Sequence, residues 1–188
     1  MRKPWQYFRD IREFQKFVFR PFVLTKTSRR GNSQPRQFET LPFLRFLAVY
    51  GAKLIGDSEG LLPNLRWLVW KGCPAFVATS FCLEKLVILD LSRSDISDFW
   101  EGWSHLKVAE QLKVLDLTYC RCLNIIPDLS AFENLEILIL EGCNKLEQIP
   151  HSIGKAKGLI FLNLQGCEKL QGLPQEMGNL EQLGRSLT

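Results

Sequence analysis

One pattern recurs along this chain and leaves few folds open to it. Three blocks align without gaps: Leu112-Lys-Val-Leu115-Asp-Leu117-Thr-Tyr-Cys120-Arg-Cys-Leu123-Asn-Ile-Ile-Pro127, then Leu135 to Pro150, then Leu159 to Pro174. Each has the form L-x-x-L-x-L-x-x-C-x-x-L-x-x-[IL]-P. The register runs backwards through Leu86, Leu89, Leu91, Ser94 and Ile96, through Leu65, Leu68, Trp70 and Cys73, and through Leu44, Leu47, Val49 and Ala52. First leucines fall at 44, 65, 86, 112, 135 and 159, so the blocks are 21, 21, 26, 23 and 24 residues apart. A partial seventh block begins near Leu183.

Within L-x-x-L-x-L the last two leucines alternate with other residues, the period of a short strand with one face turned inward. The small Cys, Ser or Ala that follows suits burial beside the neighbouring coil's backbone. The Ile/Leu-Pro pair then carries the chain back, with Pro stopping regular structure. No coil can bury its own leucines, so stability is a sum over neighbours. This period and pattern predict an α/β leucine-rich-repeat solenoid. It has a parallel concave β-sheet, one short strand per repeat, and an irregular or short helical convex side. Residues 38–188 form the repeat domain, with six full repeats and a partial seventh. Residues 97–111 lengthen one coil, and Trp100 and Trp103 are expected to pack its convex side around a helical turn.

Residues 1–37 carry no such block. They hold ten Lys/Arg against two Asp/Glu, whereas residues 38–188 hold fourteen against eighteen. The net charge of +4 therefore comes from this basic, aromatic segment alone. It reads as a remnant or packing cap, or as a membrane-surface or RNA-binding arm. An arm of that kind predicts nucleic-acid binding that depends steeply on salt; the repeat domain itself is not expected to bind nucleic acid.

No apolar run approaches the ~18 residues of a membrane span. Arg9, Asp10, Arg12, Glu13 and Lys16 break any secretory h-region, and none of the seven Asn residues heads a glycosylation sequon. These features point to a cytoplasmic location, with the nucleus as the alternative. Cys120, Cys143 and Cys167 recur with the repeat period, a ladder of buried thiols rather than a ligand cluster. Cys120 and Cys122 lack zinc spacing. His105 and His151 have no nucleophile to activate. No enzyme activity, cofactor, metal or small-molecule substrate is expected.

From about Phe38 onward the residues resemble the repeat region of plant intracellular disease-resistance proteins of the TIR/nucleotide-binding type. The resemblance rests on Leu62-Pro-Asn-Leu-Arg-Trp-Leu-Val-Trp-Lys-Gly-Cys-Pro74, on Leu83 to Ile96, on Phe99-Trp-Glu-Gly102 and on the Leu-x-Gly-Cys-x-x-Leu runs at 140–146 and 164–170. It implies defence signalling, in which the repeats recognise a pathogen effector or a guarded host protein and contact other receptor domains. The family's phosphate loop is absent, because Gly154-Lys155 is followed by Ala156. The expectation is a fragment or truncated paralogue that would self-associate or be unstable alone. A stand-alone adaptor or decoy, and an extracellular receptor or inhibitor fragment, are the alternatives.

Binding is expected on the concave strand positions: Arg66, Lys71, Asp90, Arg93, Asp116, Tyr119, Glu141, Asn163 and Gln165. Trp67, Ile88, Val114, Ile137 and Phe161 precede the second leucine. These five read as residues half-buried against the adjacent strand; the alternative, on which Trp67 and Phe161 together with Tyr119 and Ile139 are larger or more apolar than a solvated face requires, is that they are interface anchors.

Overall fold

The computed structural model describes residues 22–25, 32–33, 36–51, 53–54, 60–73 and 81–185. Residues 1–21, Ala52, Pro74 and 186–188, all invoked above, lie outside these. Nine strands are described: β1 (Phe22–Thr25), β2 (Asn32–Ser33), β3 (Phe46–Tyr50), β4 (Lys53–Leu54), β5 (Trp67–Lys71), β6 (Ile88–Asp90), β7 (Val114–Asp116), β8 (Ile137–Ile139) and β9 (Phe161–Asn163). Seven make one sheet in the order β1-β3-β5-β6-β7-β8-β9, every neighbouring pair parallel, and β2 pairs with β4 separately. This is the parallel, one-strand-per-coil sheet that the repeat pattern demands.

Register makes the coils equivalent. Leu47, Leu68, Leu89, Leu115, Leu138 and Leu162 are successive Cα partners, and the first five are essentially fully buried. Ahead of each strand a turn closes in the same way, with the N–H groups of Leu65, Leu86, Leu112, Leu135 and Leu159 donating three residues back. Each coil's entry carbonyl then accepts two N–H groups from the next coil. Arg66 O receives Val87 and Ile88, Val87 O receives Lys113 and Val114, and Lys113 O receives Glu136 and Ile137. Coils are thus joined by backbone, and the leucines fill the space between.

The small residue after each strand seals the inner corner. Cys120 Sγ donates to Leu91 O (3.3 Å), Cys143 Sγ to Leu117 O (3.1 Å) and Cys167 Sγ to Leu140 O (3.2 Å). Ser94 fills this role in the preceding coil, donating to Trp70 O at 3.2 Å and accepting the Cys73 N–H at 2.9 Å. Each side chain bonds a carbonyl of the coil before it, and at Leu117 O and Leu140 O it joins a backbone N–H, from Cys120 and Cys143, that the same oxygen accepts. Burial pushes the thiols of Cys73 and Cys143 up to about 12 and that of Cys120 higher still. They remain neutral donors at any physiological pH.

The insertion forms a short helix, Gly102–Leu106. Trp100 and Trp103 pack edge to face, centroids 5.1 Å apart, and both are buried. The convex returns are otherwise irregular, with single 3-10 turns at His151–Lys155 and Gln175–Asn179. Asp98 ties the insertion to the next coil. Its Oδ1 accepts the N–H groups of Asn124 (2.8 Å) and Ile125 (3.1 Å), and its Oδ2 accepts Asn124 Nδ2. The sheet also reaches beyond Phe38. β1 pairs with β3 from Phe22↔Leu47 to Thr25↔Tyr50, so the boundary drawn between residues 37 and 38 separates two paired strands.

Candidate functional site

Three rows cross the concave face. The first runs Phe46, Trp67, Ile88, Val114, Ile137 and Phe161. Trp67, Val114 and Ile137 are buried and the rest half-buried, and the Trp67 ring packs at a tilt against Phe46, centroids 4.8 Å apart. These residues pack sideways against one another, as residues on neighbouring strands of one face do. Of the two readings weighed for them, packing is the one their burial matches.

The second row reads Ala48, Val69, Asp90, Asp116, Ile139 and Asn163. Its polar members are turned largely to their own backbone. Asp90 Oδ1 accepts the Ser92 N–H at 2.9 Å, Asp116 Oδ1 accepts the N–H and hydroxyl of Thr118, and Asn163 Oδ1 accepts the Gln165 N–H at 3.0 Å. Short polar side chains bonding two residues ahead favour turns, and here they hold the exit from each strand. Asp90 and Asp116 are direct cross-strand partners. Burial, and then the Asp90 charge, raise the Asp116 carboxyl above its ordinary value. Lys71 answers part of that charge, with Nζ 3.3 Å from Asp90 Oδ2.

The third row lies at the strand exits, and its backbone is unusual. The residue just before each corner Cys or Ser has a left-handed conformation: Gly72 (φ 66), Arg93 (φ 59), Tyr119 (φ 58), Gly142 (φ 69) and Gly166 (φ 74), with Gly51 (φ 59) at the matching place in the first coil. Glycine adopts this region freely, whereas a side chain there costs roughly 1–2 kcal/mol. At this place two adjacent coils therefore bear strain that glycine relieves in the others, and strain of this kind clusters at functional sites; Leu62 (φ 57), buried ahead of β5, is the other left-handed non-glycine among the described residues.

The strained residues meet. Arg93 lies 5.6 Å and Arg121 5.7 Å from the centroid of the Tyr119 ring, inside the reach of a cation–π contact. The ring rests on Gly142, where a Cβ would stand 2.3 Å from one of its carbons. Beside it opens a shallow depression of about 270 Å³, walled by Arg121, Glu141, Gln165 and Glu168 among others. Glu141 is steadied by Asn163 Nδ2 at 3.1 Å.

Of the nine residues expected to bind, the structure gathers Arg93, Tyr119, Glu141 and Gln165 at this rim and links Glu141 to Asn163. Lys71, Asp90 and Asp116 form a separate charged patch. Arg66 stands apart at the strand entries, bonded to Gln111 Oε1 at 3.1 Å. Arg121 was missed because it follows the corner Cys and belongs to no strand; an Arg two residues beyond an aromatic on the same turn was the available signal.

Among the described residues no group of three His, Cys, Asp or Glu could hold a metal ion, and no helix is long and apolar enough to cross a membrane. His151 pairs with Glu176 across the convex side at 2.8 Å, exposed and with no nucleophile in the pair.

Comparison with known proteins agrees with this architecture. The Leucine Rich Repeat family pattern matches residues 134–156. The Arabidopsis thaliana protein SUPPRESSOR OF npr1-1, CONSTITUTIVE 1 is 37% identical over 148 residues, covering 78% of this chain and 10% of its own length. Disease resistance protein RML1B of the same plant is 37% identical over 63% of this chain and 12% of its own length. Disease resistance protein RPV1 of Vitis rotundifolia is 42% identical over half of this chain. The chain spans about a tenth of the length of these relatives. Among solved structures, a Leptospira interrogans LRR protein superposes with a TM-score of 0.65 at 22% identity, over 88% of this chain and 40% of that one. The repeat domain of the type III effector XopL superposes at 0.50 and 20% identity, over 95% of this chain and 79% of that one. At such identities these two speak for the fold alone. The chain is a leucine-rich-repeat solenoid related to the repeat domains of plant disease-resistance proteins.

Proposed function

We propose that this chain is a protein-recognition module of a plant immune receptor, acting in the cytoplasm or nucleus. Its partner is a pathogen effector, a guarded host protein or another domain of the receptor. The observation that carries this reading is the strand-exit rim, where strained Arg93 and Tyr119 present charge and an aromatic ring beside an open depression. Exposed aromatic and arginine side chains on a rigid backbone are what protein interfaces use as anchors. The kinship with disease-resistance proteins supplies the defence context.

The test is binding of purified effector, host-protein and nucleotide-binding-domain candidates to the chain, compared between two triple-alanine variants. One replaces Lys71, Glu141 and Gln165 on the concave side; the other replaces Lys107, Glu133 and Lys157, all exposed and outside the three rows. The concave variant is expected to weaken binding at least about tenfold, the loss of roughly one good contact, and the other variant to leave it unchanged. Equal effects would overturn the reading.

A further inference from the structure

We infer that the rim around Tyr119 is a docking site for one acidic side chain of a polypeptide partner, with Arg93 and Arg121 supplying the guanidinium groups. The inference rests on the recognition reading above and makes it specific. Three observations carry it.

The first is position. Arg93 and Tyr119 occupy, in adjacent coils, the left-handed place that glycine holds in the other coils. Their side chains therefore project from the strand exits where neighbouring coils present bare backbone. The second is charge. Neither Arg93 nor Arg121 has a carboxylate partner among the described residues; each is held only against the Tyr119 ring. A guanidinium fork matches a carboxylate in two parallel hydrogen bonds, and both forks are exposed at the surface. The third is the mixed charge of the lining. Glu141 and Glu168 line the same depression as Arg121, so a uniform polyanion such as a nucleic acid is repelled there. A carboxylate followed by neutral or basic residues answers both signs of charge, as charge complementarity requires. Gly142 and Gly166 keep the floor low: a Cβ at Gly142 would occupy the seat of the ring.

The experiment is an amide-resolved NMR titration of the full chain with acetyl-Gly-Glu-Leu-Lys-Gly-amide, and with the same peptide carrying Gln in place of Glu. The glutamate peptide should produce saturable shifts at Tyr119, Arg121, Gly142 and Gly166, and the glutamine peptide should bind at least about fivefold more weakly. Arg121→Gln should abolish the difference between them. Arg93→Gln should do the same, and if that variant disturbs the strand exit, Arg121→Gln alone decides. Equal response to both peptides, no shifts up to about 10 mM peptide, or an unchanged preference in Arg121→Gln would each overturn the site. The recognition reading has its own outcome. Partner binding lost in the concave triple variant but intact in Arg121→Gln would leave that reading standing and remove this site. Peptide preference with no effect of the triple variant on partner binding would do the reverse.

Discussion

Replacing Gly142 by Ala should destabilise the chain more than the same change at Gly166, and Tyr119 should account for the difference. Both glycines have left-handed backbone, φ 69 and φ 74. Alanine there costs roughly 1–2 kcal/mol, offset by about 0.4–1 kcal/mol through the unfolded chain. That leaves about 1 kcal/mol for Gly166→Ala, whose new Cβ meets only the Gly142 backbone at 3.4 Å. At Gly142 the Cβ would stand 2.3 and 2.4 Å from two Tyr119 ring carbons, so the ring must leave its seat. Its contacts with Arg93 and Arg121 loosen, a loss of about 0.5–1 kcal/mol at an exposed site. Gly142→Ala is therefore expected to cost about 2 kcal/mol. In a Tyr119→Ala background that cost should fall to the Gly166 value. Urea unfolding of the four chains of this cycle measures the coupling. A coupling energy below about 0.3 kcal/mol, the scatter of independent sites, would refute the seating of Tyr119 on Gly142 and weaken the case for the rim.

Burial by neighbours makes Leu138→Ala, at a fully buried position between two coils, cost about 2–5 kcal/mol. Leu162→Ala, its half-buried Cα partner in the last strand, should cost clearly less by the same unfolding assay. Burial by itself would raise the Asp98 carboxyl, but the N–H groups of Asn124 and Ile125 outweigh it and hold the group below its ordinary value of 3.8. The unfolded chain then binds the proton more readily in the window beneath 3.8. The stabilisation is complete above that value and lost as pH falls through the folded one. Asp98→Asn should flatten the acid limb of melting temperature against pH; an unchanged limb would contradict the assignment. Iodoacetamide at neutral pH should label Cys122, the exposed thiol, first. Cys73, Cys120 and Cys143 should react only on unfolding, which peptide mass mapping would read.

The coil could be read from the chain because its pattern is a packing requirement. Leu-x-Leu places two side chains inside, and the corner thiols at 120, 143 and 167 recur with the repeat because each closes against the carbonyl of the coil before it. The tryptophans of the insertion were readable for the same reason. β1 was not, since Phe22–Thr25 pairs through backbone without any L-x-x-L-x-L block around it. The rim was half visible. Glycine at 72, 142 and 166 hints at left-handed backbone, but Arg93 and Tyr119 give no such hint, because their conformation is imposed by coil stacking rather than preferred by the residues. Asp90 and Asp116 looked like contact residues. Their bonds to Ser92 and Thr118 give them a second task at the strand exits, one that an Asp followed two residues later by Ser or Thr already suggests.

Deleting residues 112–134, one whole coil, would test modular stacking and localised recognition together. Leu86 and Leu135 would then begin adjacent blocks, and β6 would meet β8 in the register β7 now provides. The account predicts a folded chain with a cooperative melt that no longer distinguishes the glutamate from the glutamine peptide, since Tyr119 and Arg121 are gone. An unfolded chain would contradict the equivalence of the coils, and a folded one that keeps the preference would contradict the rim.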